Sequence, residues 1–166
     1  MNSYKVPKMA PDTELDSLDL AILMALQNEP QLPNKVLAAR MHIAPSTCHS
    51  RVRSLRERGV IVGETLRVAA HALGRDTNAL IEIRVRVHSR EVVDQFWHYL
   101  VSLPETVQVF HISGTADFLL HVSVPSTEAL RTFLLDAVTT RVEVDHLETH
   151  VVFEHVQKHV LEPLPR

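Results

Sequence analysis

A run of hydroxyl and guanidinium side chains in the first third of the chain has the chemistry to bind a polyanion. At about 100° per residue, these side chains fall on one side of a helix, opposite Cys48, Val52 and Leu55. Pro45 suits the first helical position, and Gly59 suits a left-handed residue after the last turn. Small hydroxyls let a helix enter a groove, and arginines reach phosphates or guanine edges. The residues predicted to contact DNA are Ser46, Thr47, Ser50, Arg51, Arg53 and Ser54.

Two shorter helices are predicted before this one, which distinguishes it from an ordinary solvated amphipathic helix. Residues 15–28 begin with Asp16 as a helix N-cap and with Asp19 three residues later. Residues 34–41 form the second helix, and only three residues separate it from the third. This order of three helices, with a break after the first and a short turn after the second, is that of a tri-helical, winged-type helix-turn-helix. The last helix of such a domain enters the major groove.

The second half of the chain alternates apolar and polar residues in short segments, which is typical of half-buried strands. The pattern predicts strands over 79–87, 107–113, 118–124 and 147–153, and helices over 89–103 and 126–138. This βαββαβ order is that of a ferredoxin-like sandwich, so the fold class is α+β. One face of such a sheet has no helix to cover it, and we expect that face to pair with a second copy.

Composition and charge divide the chain in the same way. Residues 1–63 carry eight Lys/Arg and six Asp/Glu, whereas residues 64–166 carry nine and fourteen, so positive charge concentrates near the predicted reading helix. The single cysteine allows no intramolecular disulfide, and no apolar segment is long enough to span a membrane. We therefore expect a cytoplasmic, nucleoid-associated protein. The predicted domains are a flexible tail (1–14), a helix-turn-helix domain (15–63), a linker strand and turn (64–77), a ferredoxin-like oligomerisation domain (78–158) and a C-terminal tail (159–166).

Three motifs in order resemble the Lrp/AsnC family of transcriptional regulators. They are L-D-x-x-D-x-x-I-L at 15–23, P-S-T-C-x-x-R-V-R-x-L-x-x-x-G-x-I at 45–61, and S-G-x-x-D-F-L-L at 113–120. The resemblance implies dimers that read a palindromic operator, assembly into tetramers or octamers, and a small effector, usually an amino acid. It also implies that the ferredoxin-like domain (78–158) binds the effector, at a site made of Ser113, Gly114, Thr115, Ala116, Asp117, Thr149 and Val151.

The chain departs from the family pattern at three positions. Ala44 stands where the family has a capping serine, and His42 stands where a glycine often adopts positive φ. The effector loop reads G-T-A-D, whereas the family commonly has G-D-x-D, so this chain keeps only one of the two acids. This loss weakens the case for a plain α-amino acid as the effector.

Eleven histidines raise the alternative of a metal or tetrapyrrole site. His111 and His121 could face each other across a hairpin, and His146 and His150 share one strand face. No histidine pair on a predicted helix has i, i+4 ligand spacing beside an acid, and no cysteine joins them, so we expect no metal and no cofactor. Two other functions stay open: an Lrp-like tetrapyrrole enzyme of the siroheme decarboxylase type, and an architectural DNA-binding protein without an effector. No catalytic motif is present, which favours a regulator over an enzyme.

Overall fold

The three helices predicted for the first part of the chain are present in the computed structural model, which describes residues 14–87 and 89–164. They are α1 (Ser17–Asn28), α2 (Asn34–Arg40) and α3 (Pro45–Glu57). Their apolar faces meet in one core whose fully buried members are Ile22, Leu37, Ala38, Cys48 and Leu55. Residues 14–66 contain no strand, so the predicted wing of the helix-turn-helix is not formed as a strand pair within them.

Local residue types explain where these helices begin and end. The Asp16 side chain accepts a hydrogen bond from the Asp19 N–H at 2.7 Å, which confirms it as the N-cap of α1. Ala44, before α3, makes no side-chain cap. His42 has a φ of 54° in the turn before α3, and Gly59 has a φ of 70° after it, both as predicted.

The remaining regular elements form the predicted βαββαβ order. A 3₁₀ turn at Ala70–Leu73 leads into β1 (Thr77–Val85), α4 (Arg90–Ser102), β2 (Thr106–His111), β3 (Phe118–Val124), α5 (Thr127–Phe133) and β4 (Val144–Val152). α5 continues as a wider helical turn over Leu134–Thr139. The four strands lie in the order β2-β3-β1-β4, and all three neighbouring pairs are antiparallel. The α+β fold class is therefore confirmed.

The two faces of the sheet differ because side chains alternate along each strand. Ile81, Ile83, Phe118 and Leu120 are fully buried on one face and form a core with Phe96 and Leu100 of α4. The opposite face carries Leu80 beside His121 and His150, and Glu82 beside Glu148. We call this second face the open face, since both helices pack on the other one.

The chain divides into two compact units at slightly different boundaries from those predicted. The helical unit comprises residues 14–66 and 156–164, and the sheet unit comprises residues 67–155. The C-terminal residues therefore belong with the helices: Leu161 donates its N–H to the Gln27 side chain at 2.8 Å and accepts from it at 3.3 Å. Apart from Glu14, the predicted N-terminal tail lies outside the described residues, as do residues 165–166 of the predicted C-terminal tail.

The predicted linker strand is wrong for the single chain. Residues 64–69 belong to no strand, because no neighbouring segment of the described chain offers them a hydrogen-bonding partner. None of the helices among the described residues has the length and apolar character that crossing a membrane requires.

Candidate DNA interface and effector cleft

The polar side of α3 is directed away from the core of the helical unit. Ser46, Thr47, Ser50 and Arg53 are exposed and Ser54 is partly exposed, whereas Cys48 and Leu55 on the other side are fully buried. The burial of those two residues fixes the rotation of the helix and so determines which side chains face solvent. The arrangement brings five of the six predicted DNA-contacting residues onto one accessible surface, which we call the α3 face.

Arg51, the sixth residue, has a different environment. Its guanidinium forms ion pairs with Asp16 and, at 3.1 Å, with Asp19. Arg58 contacts the other carboxylate oxygen of Asp19 at 3.4 Å and donates to the Glu14 carbonyl at 2.6 Å. Arg51 therefore ties α3 to the start of α1, whereas the sequence predicted that it would be available to DNA.

The electrostatics of this network follow from the hydrogen bonds. The Asp19 N–H, and after it the Arg51 guanidinium, hold the pKa of the Asp16 carboxyl below its ordinary value of 3.8. Asp19 itself is only 2% exposed, so its charge depends on the two arginines for compensation. On the α3 face, the Glu57 carboxylate accepts from Arg53 at 2.7 Å and raises the pKa of that guanidinium.

The loop between β2 and β3 carries the predicted effector residues Ser113 to Asp117. Ser113, Gly114 and Thr115 are exposed, and Gly114 has a φ of 136°, a backbone conformation that favours glycine. Ala116 is buried at 8% exposure. The loop therefore presents its backbone near Gly114 to solvent while its second half is anchored in the sheet unit.

Asp117 is the anchor of this loop. Its carboxylate accepts from the Val85 N–H at 2.8 Å, and its own N–H donates to the Ile83 carbonyl at 3.0 Å. Its carbonyl also accepts from the Ile112 N–H at 2.9 Å. Asp117 thus positions the loop against the end of β1.

A cleft of about 220 Å³ lies beside this loop on the open face. Thr115 and Ala116 line it from the loop, and the other lining residues come from β1 and β4: Glu82, Arg84, His146 and Glu148. Glu82 lies directly opposite Glu148 in the strand register, and Arg84 donates to Asp145 at 2.9 Å. The cleft is therefore polar, with carboxylates that can accept from an ammonium group and a guanidinium near them.

Thr149 and Val151 do not reach this cleft. They pair with Ile81 and Ala79, so alternation places them on the helix-covered side of β4. The Thr149 hydroxyl oxygen is buried there without a hydrogen-bond partner in the described chain. The structure therefore brings Thr115 and Ala116 to the cleft and separates them from the two predicted β4 residues.

The four residues that line the cleft from β1 and β4 were not among the predicted effector contacts. The polar positions of β1 were recognisable from its alternation, but their neighbours on β4 depend on the register between two strands far apart in sequence. The predicted facing of His111 and His121 is also wrong, because His111 pairs with Phe118 and His121 with Gln108. No group of three or more potential metal ligands is arranged to hold an ion within residues 14–87 and 89–164.

Comparison with known proteins agrees with this architecture. Residues 15–62 match the model of a winged helix-turn-helix DNA-binding domain, and residues 78–161 match that of the Lrp/AsnC ligand-binding domain. The chain belongs to the Lrp/AsnC family. It is a DNA-binding transcriptional regulator with a ligand-binding domain. Its relatives are likewise named as regulators rather than enzymes.

Individual relatives cover nearly the whole Lrp/AsnC chain. The HTH-type transcriptional regulator AldR of Mycolicibacterium smegmatis is 35% identical in sequence, and the match covers 91% of this chain and 88% of AldR. The leucine-responsive regulatory protein of Escherichia coli is 31% identical in sequence, and the match covers 91% of this chain and 92% of that protein. The structure of E. coli AsnC superposes with a TM-score of 0.81 at 27% identity, covering 90% of this chain and 99% of that one.

Proposed function

We propose that this Lrp/AsnC regulator reads its operator through the α3 face. The observation that carries the proposal is the joint exposure of Ser46, Thr47, Ser50 and Arg53 on one side of a helix whose other side buries Cys48 and Leu55 completely. Hydroxyls at the N-terminal end of this helix suit close approach to base edges and phosphates, and Arg53 suits a guanine edge. Arg51 contributes by holding α3 in place.

The effector is an amino acid bound at the cleft beside the Gly114 loop. Exposed loop backbone near Gly114 and the Arg84 guanidinium suit a carboxylate, and Glu82 and Glu148 suit an ammonium group. The match to a family ligand-binding domain supports this assignment, as does the name of the 31%-identical relative, which describes a response to leucine. Asp117 acts as a positioning residue for the loop.

Self-association through the open face completes the functional unit. Leu80, Leu119 and Phe110 share this face, and Phe110 is 43% exposed. Pairing two such faces covers this apolar surface, places the polar cleft of the same face at the interface between the two copies, and yields a symmetric dimer whose two α3 helices read a palindromic site. Further assembly into tetramers or octamers extends the contact with DNA. Its place of action is the cytoplasm, on the nucleoid.

Thermal unfolding of the purified protein with each of the twenty amino acids tests the effector assignment. A ligand that binds only the native state raises the free energy of unfolding by about 2.7 kcal/mol at a hundredfold excess over its Kd. We expect one amino acid or a few related ones to raise the midpoint temperature of unfolding, and we expect Glu148→Gln to reduce that rise. A shift that Glu148→Gln leaves unchanged would contradict the cleft as the site.

The architectural alternative predicts DNA binding that no small molecule alters, and it is favoured if all twenty amino acids fail in both the unfolding and the DNA-binding assay. The tetrapyrrole-enzyme alternative gains no support, since both curated relatives described above are regulators.

A further inference from the structure

The helical unit contains a second cleft, separate from the one in the sheet unit. It has a volume of about 220 Å³ and lies between the end of α1, the turn after it, α2 and α3. Its inner wall is apolar and includes Leu26, Leu32, Leu37 and Val52. A cavity of about 150 Å³ already holds a benzene-sized molecule, so this one has room for a short branched hydrocarbon chain.

The rim of this cleft is basic. His49, Arg53 and Arg56 line it from α3, and no acidic residue is among its lining residues. Arg53 is paired with Glu57 and Arg56 with Glu64, but all four side chains are more than half exposed. Exposed ion pairs of this kind are weak and exchange readily with another anion.

We propose that this cleft binds a small aliphatic carboxylate and that binding competes with DNA. The hydrocarbon chain packs against the leucines and Val52, and the carboxylate pairs with Arg53 and Arg56. An apolar wall beside two guanidinium groups complements an apolar anion, and it disfavours an amine, which would meet like charge.

Competition follows from the position of Arg53. This side chain belongs both to the α3 face and to the rim of the cleft, so one guanidinium cannot serve both ligands with the same donors. Under direct exclusion, the apparent Kd for DNA keeps rising with ligand concentration. An effector that acts through the sheet unit instead changes the DNA affinity by a fixed factor, so its effect reaches a plateau. The competition rests on the proposed DNA interface, whereas binding in the cleft does not.

The test uses the full chain, a labelled duplex carrying its selected operator, and 4-methylpentanoate as the probe. Acetate at equal concentration matches the ionic strength, and 4-methyl-1-pentanol supplies the same hydrocarbon chain without the charge. We expect the apparent Kd for DNA to rise in proportion to probe concentration, with little effect of the alcohol. We also expect Arg56→Gln to weaken inhibition at least fivefold.

Two-dimensional NMR of the DNA-free protein separates binding from competition. The probe should shift the amide signals of residues around Leu32 and Val52, and this result supports the cleft even if the DNA assay fails. The proposal is overturned if the shifts are confined to the sheet unit, or if no shift occurs. It is also overturned if inhibition reaches a plateau, or if acetate or the alcohol inhibits equally.

Discussion

Two charged residues that resemble recognition groups in the sequence each have a structural partner. Arg51 is paired with Asp16 and Asp19, and the Asp117 carboxylate accepts from the Val85 N–H. In both cases the side chain fixes the position of a neighbouring element that carries the exposed functional groups. Substituting such a residue changes recognition indirectly, through stability, and the two effects can be separated by the choice of replacement.

Asp117 allows that separation. Asp117→Ala leaves the N–H of Val85, a residue that is 1% exposed, without this acceptor, and should lower the free energy of unfolding by about 1–3 kcal/mol. Asp117→Asn keeps an oxygen at the same place and should cost less. Chemical denaturation of both variants measures the difference. Equal stability of Asp117→Ala and the parent protein would contradict the anchoring role.

The effector response of the same two variants gives a second outcome. If Asp117 only positions the loop, Asp117→Asn should retain the response to the amino acid that stabilises the parent protein. Loss of the response in a stable Asp117→Asn variant would instead show that the negative charge contacts the effector.

Among the elements, α1 and α3 are joined by charge as well as by their apolar core. Asp19 of α1 is buried between Arg51 and Arg58 of the segment that includes α3. A buried carboxylate needs its arginine partners, so we expect Asp19 to favour the packing of α1 and α3 in which both ion pairs form. The orientation of the α3 face therefore depends on a residue outside it.

Removing the Asp19 carboxylate tests whether the packing of α1 and α3 depends on it. Asp19→Ala should lower the free energy of unfolding by about 1–3 kcal/mol, because both arginines lose a buried acceptor. Denaturation followed by far-ultraviolet circular dichroism, which reports on the helices, measures the change. Glu128→Ala, which removes an exposed carboxylate paired with Arg131 at 3.5 Å, is the matched control and should have little effect.

The N-cap of α1 predicts a dependence on pH. Because the folded state lowers the pKa of Asp16, its stabilising contribution is fully present above about pH 3.8 and is lost as the pH falls through the lowered value. The protection factors of the amides in the first turn of α1, which are corrected for the intrinsic pH dependence of exchange, should fall over that range. Asp16→Asn still caps the helix without titrating, and it should remove this fall in protection. If the fall persists unchanged in Asp16→Asn, another group is responsible.

The sequence predicted these elements well wherever the signals were local. Asp16 is the N-cap of α1 in the structure as expected, and β3 has the predicted bounds. The linker strand failed because a strand needs a partner that this chain alone does not supply. The cleft was missed because a shift of one residue in strand register moves every side chain to the other face, and register is not a local property.

At the scale of the whole molecule, the open face combines apolar residues with titratable ones. Burial, and after it the charge of His155, lower the pKa of His121 below 6.5. The two rings are 5.9 Å apart, and His150 lies across Leu80 within 3.8 Å of Glu82 and Glu148. The open face therefore carries one histidine, His121, whose protonation is opposed by burial and by a neighbouring histidine.

The stability of the sheet unit should consequently fall in mild acid. A group with a lowered folded pKa contributes fully above its unfolded value of about 6.5, and this contribution is lost as the pH falls through the lowered value. Urea midpoints between pH 5 and 8 measure the effect. His121→Gln should flatten the profile, whereas the exposed His98→Gln should not; the same slope in both variants would contradict the assignment.

The central claim is that the α3 face reads DNA sequence, and one comparison tests it most directly. An operator is selected from random duplexes with the full chain. Its affinity and that of a scrambled duplex are then measured at one salt concentration for the parent protein and for Arg53→Ala. We predict that Arg53→Ala weakens operator binding about ten- to hundredfold and scrambled binding much less, so that the specificity ratio falls. The account would be contradicted if Arg53→Ala left the affinities for the operator and for the scrambled duplex, and therefore their ratio, unchanged.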